Sequence, residues 1–246
     1  HSFLWQDWAV QAMREGLGDK FIGTSNCLIA KNRELEAIGT NAHELPMVYA
    51  ALADTDAALL QSPYDVLSDW QEEHDGNLKI ILPDTFGTQG FLDRAPDWLA
   101  GWTGMRIDSG DPATGAENAI NWWKSRGEDP TQKLVIFSDG LDVDKIIELQ
   151  RQFKGRVRVS FGWGTMMTND FKGLTEGDAL APFSLVCKAI KANGRPTVKL
   201  SDNRNKAMGA GEESARYKRV FGVGEQERVE VVVRGKVSQL KILLSR

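Results

Sequence analysis

Gly104-Met105-Arg106-Ile107-Asp108-Ser109-Gly110-Asp111-Pro112 reads as a short strand running into a turn, and the turn runs into a helix. Side chains two apart on a strand point to one face, so Arg106 and Asp108 project together. The turn cluster Ser109 to Pro112 carries a proline suited to the first position of a helix, and Ala113 to Arg126 continues with a helical pattern. A fork-shaped cation, a carboxylate, a hydroxyl and a bare glycine therefore meet at one strand's C-terminal end. That set suits a phosphorylated, anionic ligand, although a surface ion pair beside an ordinary turn would read the same way over these nine residues.

The same grammar recurs along the chain. Phe21-Ile22 leads into Gly23-Thr24-Ser25-Asn26, and Ala37-Ile38 into Gly39-Thr40-Asn41-Ala42-His43-Glu44. Leu78 to Leu82 leads into Pro83-Asp84-Thr85-Phe86-Gly87-Thr88, Lys133 to Phe137 into Ser138-Asp139-Gly140, and Arg156 to Phe161 into Gly162-Trp163-Gly164-Thr165. Counting the run at Met105, six strand-like runs end in Gly, Ser, Thr or Asp, and most are followed by a helical pattern such as Asp142 to Phe153. Alternating strands and helices predict a parallel sheet, and a closed barrel would bring every polar end to one C-terminal face.

Outside this repeat, Phe3 to Gly16 carries apolar residues at helical spacing. Late in the chain, Ala192-Asn193-Gly194 between the β-rich runs Phe183 to Lys191 and Arg195 to Leu200 predicts an antiparallel hairpin. Ser201 to Glu213 reads as a mobile loop, Val229 to Val233 as a last strand, and Arg234 to Arg246 as a basic tail. The expected architecture is an irregular TIM-like α/β barrel with a late antiparallel hairpin. Residues 1–223 form its catalytic domain, and 224–246 hold a strand and tail without an assigned place.

A formal net charge of -4 over 246 residues argues against non-specific nucleic-acid binding, which needs a basic surface. No apolar run reaches the roughly 18 residues needed to span a bilayer, and no signal peptide is evident, so a cytoplasmic location away from membranes is expected. Cys27 and Cys187 each sit in an apolar run and read as buried thiols. The chain opens at His1 without methionine, which suggests a piece of a longer protein.

Six motifs in register resemble one family: Gly23-Thr24-Ser25-Asn26, Gly39 to Glu44, Arg106 to Pro112, Phe137 to Asp142, Phe161 to Thr165 and Asn193 to Asp202. Together they are similar to the nicotinate phosphoribosyltransferase family, of the type II phosphoribosyltransferase fold, up to about Val220. The resemblance implies transfer of phosphoribose from phosphoribosyl pyrophosphate to nicotinate, giving nicotinate mononucleotide and pyrophosphate within NAD biosynthesis. It also implies ATP hydrolysis coupled through a phosphorylated histidine, Mg²⁺ on the diphosphate, and a homodimer that shares its active sites. The family's N-terminal domain, with an arginine cluster and a ring-stacking aromatic, is not among these residues, so the chain alone is expected to be inactive.

Carried onto this sequence, the resemblance makes His43 the phosphorylated residue and Asp84 its partner carboxylate. Arg106 would meet the pyridine substrate, and Asp108 the ribose or a metal-bound water. Ser138, Asp139 and Gly140 would hold the ribose and its phosphate end. Gly162 and Gly164 would bring backbone N–H groups close to phosphate, with the Thr165 hydroxyl beside them, and Ser25, Thr40 and Ser109 complete the expected substrate contacts. No protein ligand to a metal is assigned. His74, in a charged run, reads as a surface residue.

The alternatives are a relative on the same fold using nicotinamide or quinolinate, a catalytically silent phosphate-binding scaffold, and an aldolase-like enzyme with a Schiff-base lysine among Lys188, Lys191 and Lys199. The match around His43 argues against quinolinate.

Overall fold

The computed structural model describes residues 2–171, 173–177 and 179–223. The expected last strand and basic tail lie outside them. In chain order the helices are α1 (Phe3–Leu17), α2 (Cys27–Arg33), α3 (Glu44–Leu52), α4 (Asp56–Glu73), α5 (Thr88–Arg94), α6 (Pro112–Ser125), α7 (Val143–Phe153), α8 (Thr165–Asn169) and α9 (Gly211–Phe221). The strands are β1 (Gly23–Thr24), β2 (Glu36–Ala37), β3 (Ile80–Ile81), β4 (Gly104–Ile107), β5 (Leu134–Phe137), β6 (Arg158–Phe161), β7 (Lys191–Ala192) and β8 (Arg195–Pro196).

Five of the six expected strands overlap their runs; the first lies one step later, at Gly23–Thr24 instead of Phe21-Ile22, and all six pair in parallel. They lie in two separate ladders, β1-β2 and β3-β4-β5-β6. Among the described residues no ladder joins β2 to β3 or β6 back to β1, so the closed barrel expected from the sequence is not what the hydrogen bonds draw. Convergence of polar strand ends follows from parallel direction alone, and ring closure is not needed for it.

Helix α6 begins as its residues dictate: Asp111 caps it by accepting from the Thr114 backbone N–H at 2.7 Å, and Pro112 occupies the first turn. Its inner face, Ala116, Ala119, Ile120 and Trp123, is buried against the sheet residues Met105, Ile107, Val135 and Phe137 and against Leu149 and Phe153 of α7. Gly104 is required where β4 meets β5, because a Cβ there would stand 2.2 Å from the Leu134 carbonyl oxygen. A second core joins Ala50 and Leu59 to Phe86, Val198, Leu200, Tyr217 and Phe221, so α9 and the segment after the hairpin close over the ends of the early helices.

The hairpin forms in antiparallel register, with Asn193 and Gly194 both at positive φ, as a tight turn between twisted strands demands. Of the run Phe183 to Lys191 only Lys191 is strand, continued by Ala192 from the expected turn. Phe183, Leu185 and Val186 are exposed coil, so β-rich composition there did not find a partner to pair with. The cysteines also depart from expectation, for both are exposed: Cys27 opens α2 instead of lying in a buried strand.

Candidate active site

Three strand ends, those of β3, β4 and β5, and the loop after β2 supply one hydrogen-bonded cluster. Arg106, on β4, spends its three nitrogens on three different segments: Nε donates to Ser138 Oγ at 2.7 Å, Nη1 to Thr40 Oγ1 at 3.0 Å and Nη2 to Asp108 Oδ1 at 2.7 Å. Ser138 Oγ in turn donates to Asp108 Oδ1 at 2.8 Å. Arg106 and Asp108 thus share a face, as alternation on a strand requires.

The other oxygen of Asp108 turns to His43. Nε2 of the imidazole stands 3.0 Å from Asp108 Oδ2, and Nδ1 lies 2.9 Å from Thr85 Oγ1. Asp84 Oδ1 is 3.8 Å from Nε2, beyond hydrogen-bond reach, and Asp84 Oδ2 accepts from Ser109 Oγ at 2.7 Å. The expected pairing of His43 with Asp84 is therefore a near approach, and the carboxylate in hydrogen-bonding contact is Asp108. Ionised carboxylates only accept, so the neutral ring carries its proton on Nε2 and takes the Thr85 hydroxyl at Nδ1. Glu44, next in sequence to His43, faces away and pairs with Lys188 at 2.7 Å.

Burial by itself would raise the Asp108 carboxyl. The hydrogen bonds from His43, Arg106 and Ser138 and the Arg106 charge overcome it and hold the group well below the usual carboxylate range. The unfolded chain then binds the proton more readily than the folded one, so the stabilisation is complete above the ordinary value of 3.8 and is lost as pH falls below it. Asp108→Asn is expected to flatten the pH dependence of urea-unfolding free energy between about pH 4 and pH 2. An undiminished slope in the variant would refute this.

Two residues join the cluster that sequence motifs did not single out for it. Lys206 Nζ donates to the Asp108 backbone oxygen at 2.7 Å and pairs with Asp139 Oδ1 at 2.8 Å, so the segment read as a mobile loop reaches across the site. Thr85 was visible only as a hydroxyl beside Asp84. Lys199 is also buried, at 4 % exposure. Burial pulls its ammonium below the usual lysine value, while the charges of Asp84 and Asp108 oppose that shift.

Further along the edge, Gly140 follows Asp139 at φ 60°, a left-handed turn suited to glycine. Gly162 packs so near β5 that a Cβ would meet Ser138 Cβ at 3.2 Å, and its N–H is spent on the Phe137 carbonyl at 2.8 Å. That amide is not free for a phosphate. Gly164 precedes α8, and Thr165 opens it. Ser25 stands exposed after β1, joined to the cluster by no hydrogen bond among the described residues. His74 is away from the cluster and packs on Trp70, with ring centroids 4.2 Å apart.

Comparison with known proteins matches residues 1–225 to the model of the nicotinate phosphoribosyltransferase (NAPRTase) family. A solved nicotinate phosphoribosyltransferase from Vibrio cholerae is 36% identical, with a TM-score of 0.82 over 90% of this chain and 52% of its own. One from Porphyromonas gingivalis is 32% identical, with a TM-score of 0.80 over 90% of this chain and 56% of its own. The chain spans about half the length of each.

Proposed function

The chain belongs to the nicotinate phosphoribosyltransferase family, and from that membership we propose that it carries the catalytic residues for transfer of phosphoribose from phosphoribosyl pyrophosphate to nicotinate. The bond between the ribose anomeric carbon and the pyrophosphate oxygen breaks, and a bond from that carbon to the pyridine nitrogen forms. The observation that carries the reading is the convergence of Arg106, Asp108, Ser138 and His43 in one network drawn from separate strand ends.

Arg106 has five N–H groups, of which three are engaged, so one remains on each terminal nitrogen to receive the two oxygens of nicotinate's carboxylate. Asp108, kept ionised, places negative charge beside an oxocarbenium-like ribose. Lys206 and the turn at Ser138-Asp139-Gly140 border the space for the anionic end of the sugar phosphate. Mg²⁺ arriving on the diphosphate would neutralise the leaving group. Its taste for oxygen donors and water fits the half-exposed Asp139 at the rim.

His43 provides the nucleophile for ATP: the γ-phosphorus–oxygen bond breaks as a nitrogen–phosphorus bond forms, and later hydrolysis returns the imidazole. The carboxylate on one ring nitrogen orients the ring and puts the lone pair on the other, where the Thr85 hydroxyl donates to it and must turn away before attack. The active protein is proposed to be a cytoplasmic homodimer with sites shared between subunits. No described helix is long and apolar enough to cross a membrane.

The test is nicotinate mononucleotide formation by the purified full-length protein from nicotinate and phosphoribosyl pyrophosphate, with and without ATP. Product whose yield rises with ATP is expected, with nicotinamide a poor replacement. Tight binding of phosphoribosyl pyrophosphate without turnover would overturn the proposal in favour of a silent scaffold.

A further inference from the structure

Asp84 poses a separate question. It is 2 % exposed, and its Oδ1 is buried with no hydrogen-bond partner, although Oδ2 is satisfied by Ser109. A buried, unsatisfied carboxylate oxygen is costly and points to a group that would complete it. That oxygen faces His43 Nε2 at 3.8 Å, and the donor atoms of His43, Asp84 and Asp108 all lie within 4.8 Å of one another.

We propose that His43 Nε2, Asp84 Oδ1 and Asp108 Oδ2 form a binding site for a borderline divalent cation of the zinc class. The separations from Nε2 to the two oxygens, 3.0 and 3.8 Å, bracket the ligand–ligand edge of about 3.3 Å for a tetrahedron with metal–ligand bonds of about 2.0–2.1 Å. Arg106 and Ser138 occupy Oδ1 of Asp108, which leaves Oδ2 directed at the ring. Water would take the fourth position.

The type of cation follows from the surroundings. The positive charges of Arg106 and Lys199 lie close to the two carboxylates and weaken the hold on a hard ion bound by charge alone. An imidazole nitrogen restores the balance for zinc or cobalt, which bind it more strongly than magnesium does. Coordination needs the Nε2 lone pair, so the ring proton moves to Nδ1, where the Thr85 hydroxyl turns from donor to acceptor. A ring whose lone pair is held by a cation is a poorer nucleophile, so the site opposes phosphorylation of His43.

The test is Co²⁺ titration of chelator-treated protein, followed by visible absorption and by calorimetry. One equivalent of Co²⁺ giving a tetrahedral-type band, displaced by Zn²⁺, is expected. Asp84→Asn keeps an acceptor for Ser109 and is expected to weaken Co²⁺ binding by about 100-fold or more, as is His43→Gln, with circular dichroism reporting the fold of each. Absence of the band in the wild type, or its persistence in His43→Gln, overturns the site. Nicotinate mononucleotide formation without Co²⁺ binding removes this proposal and leaves the transfer reading intact; Co²⁺ binding without transfer does the reverse.

Discussion

Replacing Arg106 by alanine is expected to lower kcat/KM for nicotinate mononucleotide formation by about a thousandfold, some 4 kcal/mol of transition-state stabilisation. Two losses combine. In the proposed reaction the substrate carboxylate loses its two-pronged partner, and the Asp108 carboxylate loses one of its three side-chain partners and is left with Ser138 and His43. Arg106→Lys is not expected to restore the rate, because a single ammonium cannot reach Thr40, Ser138 and Asp108 at once as three nitrogens do. The discriminating readout is the ratio of nicotinate to nicotinamide turnover, which should fall toward one in Arg106→Ala. A variant that slows both substrates equally, with their ratio preserved, would remove Arg106 from substrate recognition.

His43→Ala is expected to abolish acid-labile phosphorylation by ATP, and with it the whole stimulation of product formation, while transfer measured without ATP stays within about tenfold of the wild type. The asymmetry follows from position. His43 reaches Asp108 through one hydrogen bond, and Asp108 keeps its contacts with Arg106 and Ser138 when the imidazole is gone. Radiolabel from ATP that persists in His43→Ala would place the phosphorylated group elsewhere. Equal loss of basal and stimulated transfer would instead make the imidazole a part of the transfer site itself.

Much of this arrangement was legible locally. The strand-turn-helix grammar around Met105, the proline opening α6, the Asn193-Gly194 turn and the shared face of Arg106 and Asp108 are all settled by neighbours a few residues apart. The motifs also located His43, Asp84, Arg106, Asp108 and Ser138 as a set. Other features were not legible. Composition predicted a long β run before the hairpin and buried cysteines, but the run lies exposed and both thiols face outward, because burial depends on what packs above a segment. The segment read as a mobile loop holds Lys206, which bonds a backbone oxygen 98 positions away.

What the sequence determined by itself is therefore the direction and order of the parallel strands, and hence that their polar ends share an edge, since backbone periodicity and turn chemistry act at short range. Only the tertiary structure decided that the strands form two ladders, that Asp108 and not Asp84 meets the imidazole across 65 residues, and that one Asp84 oxygen is left without a partner. The reason is physical: which of two neighbouring carboxylates reaches a ring depends on differences below 1 Å, and these are set by the packing of side chains from distant segments.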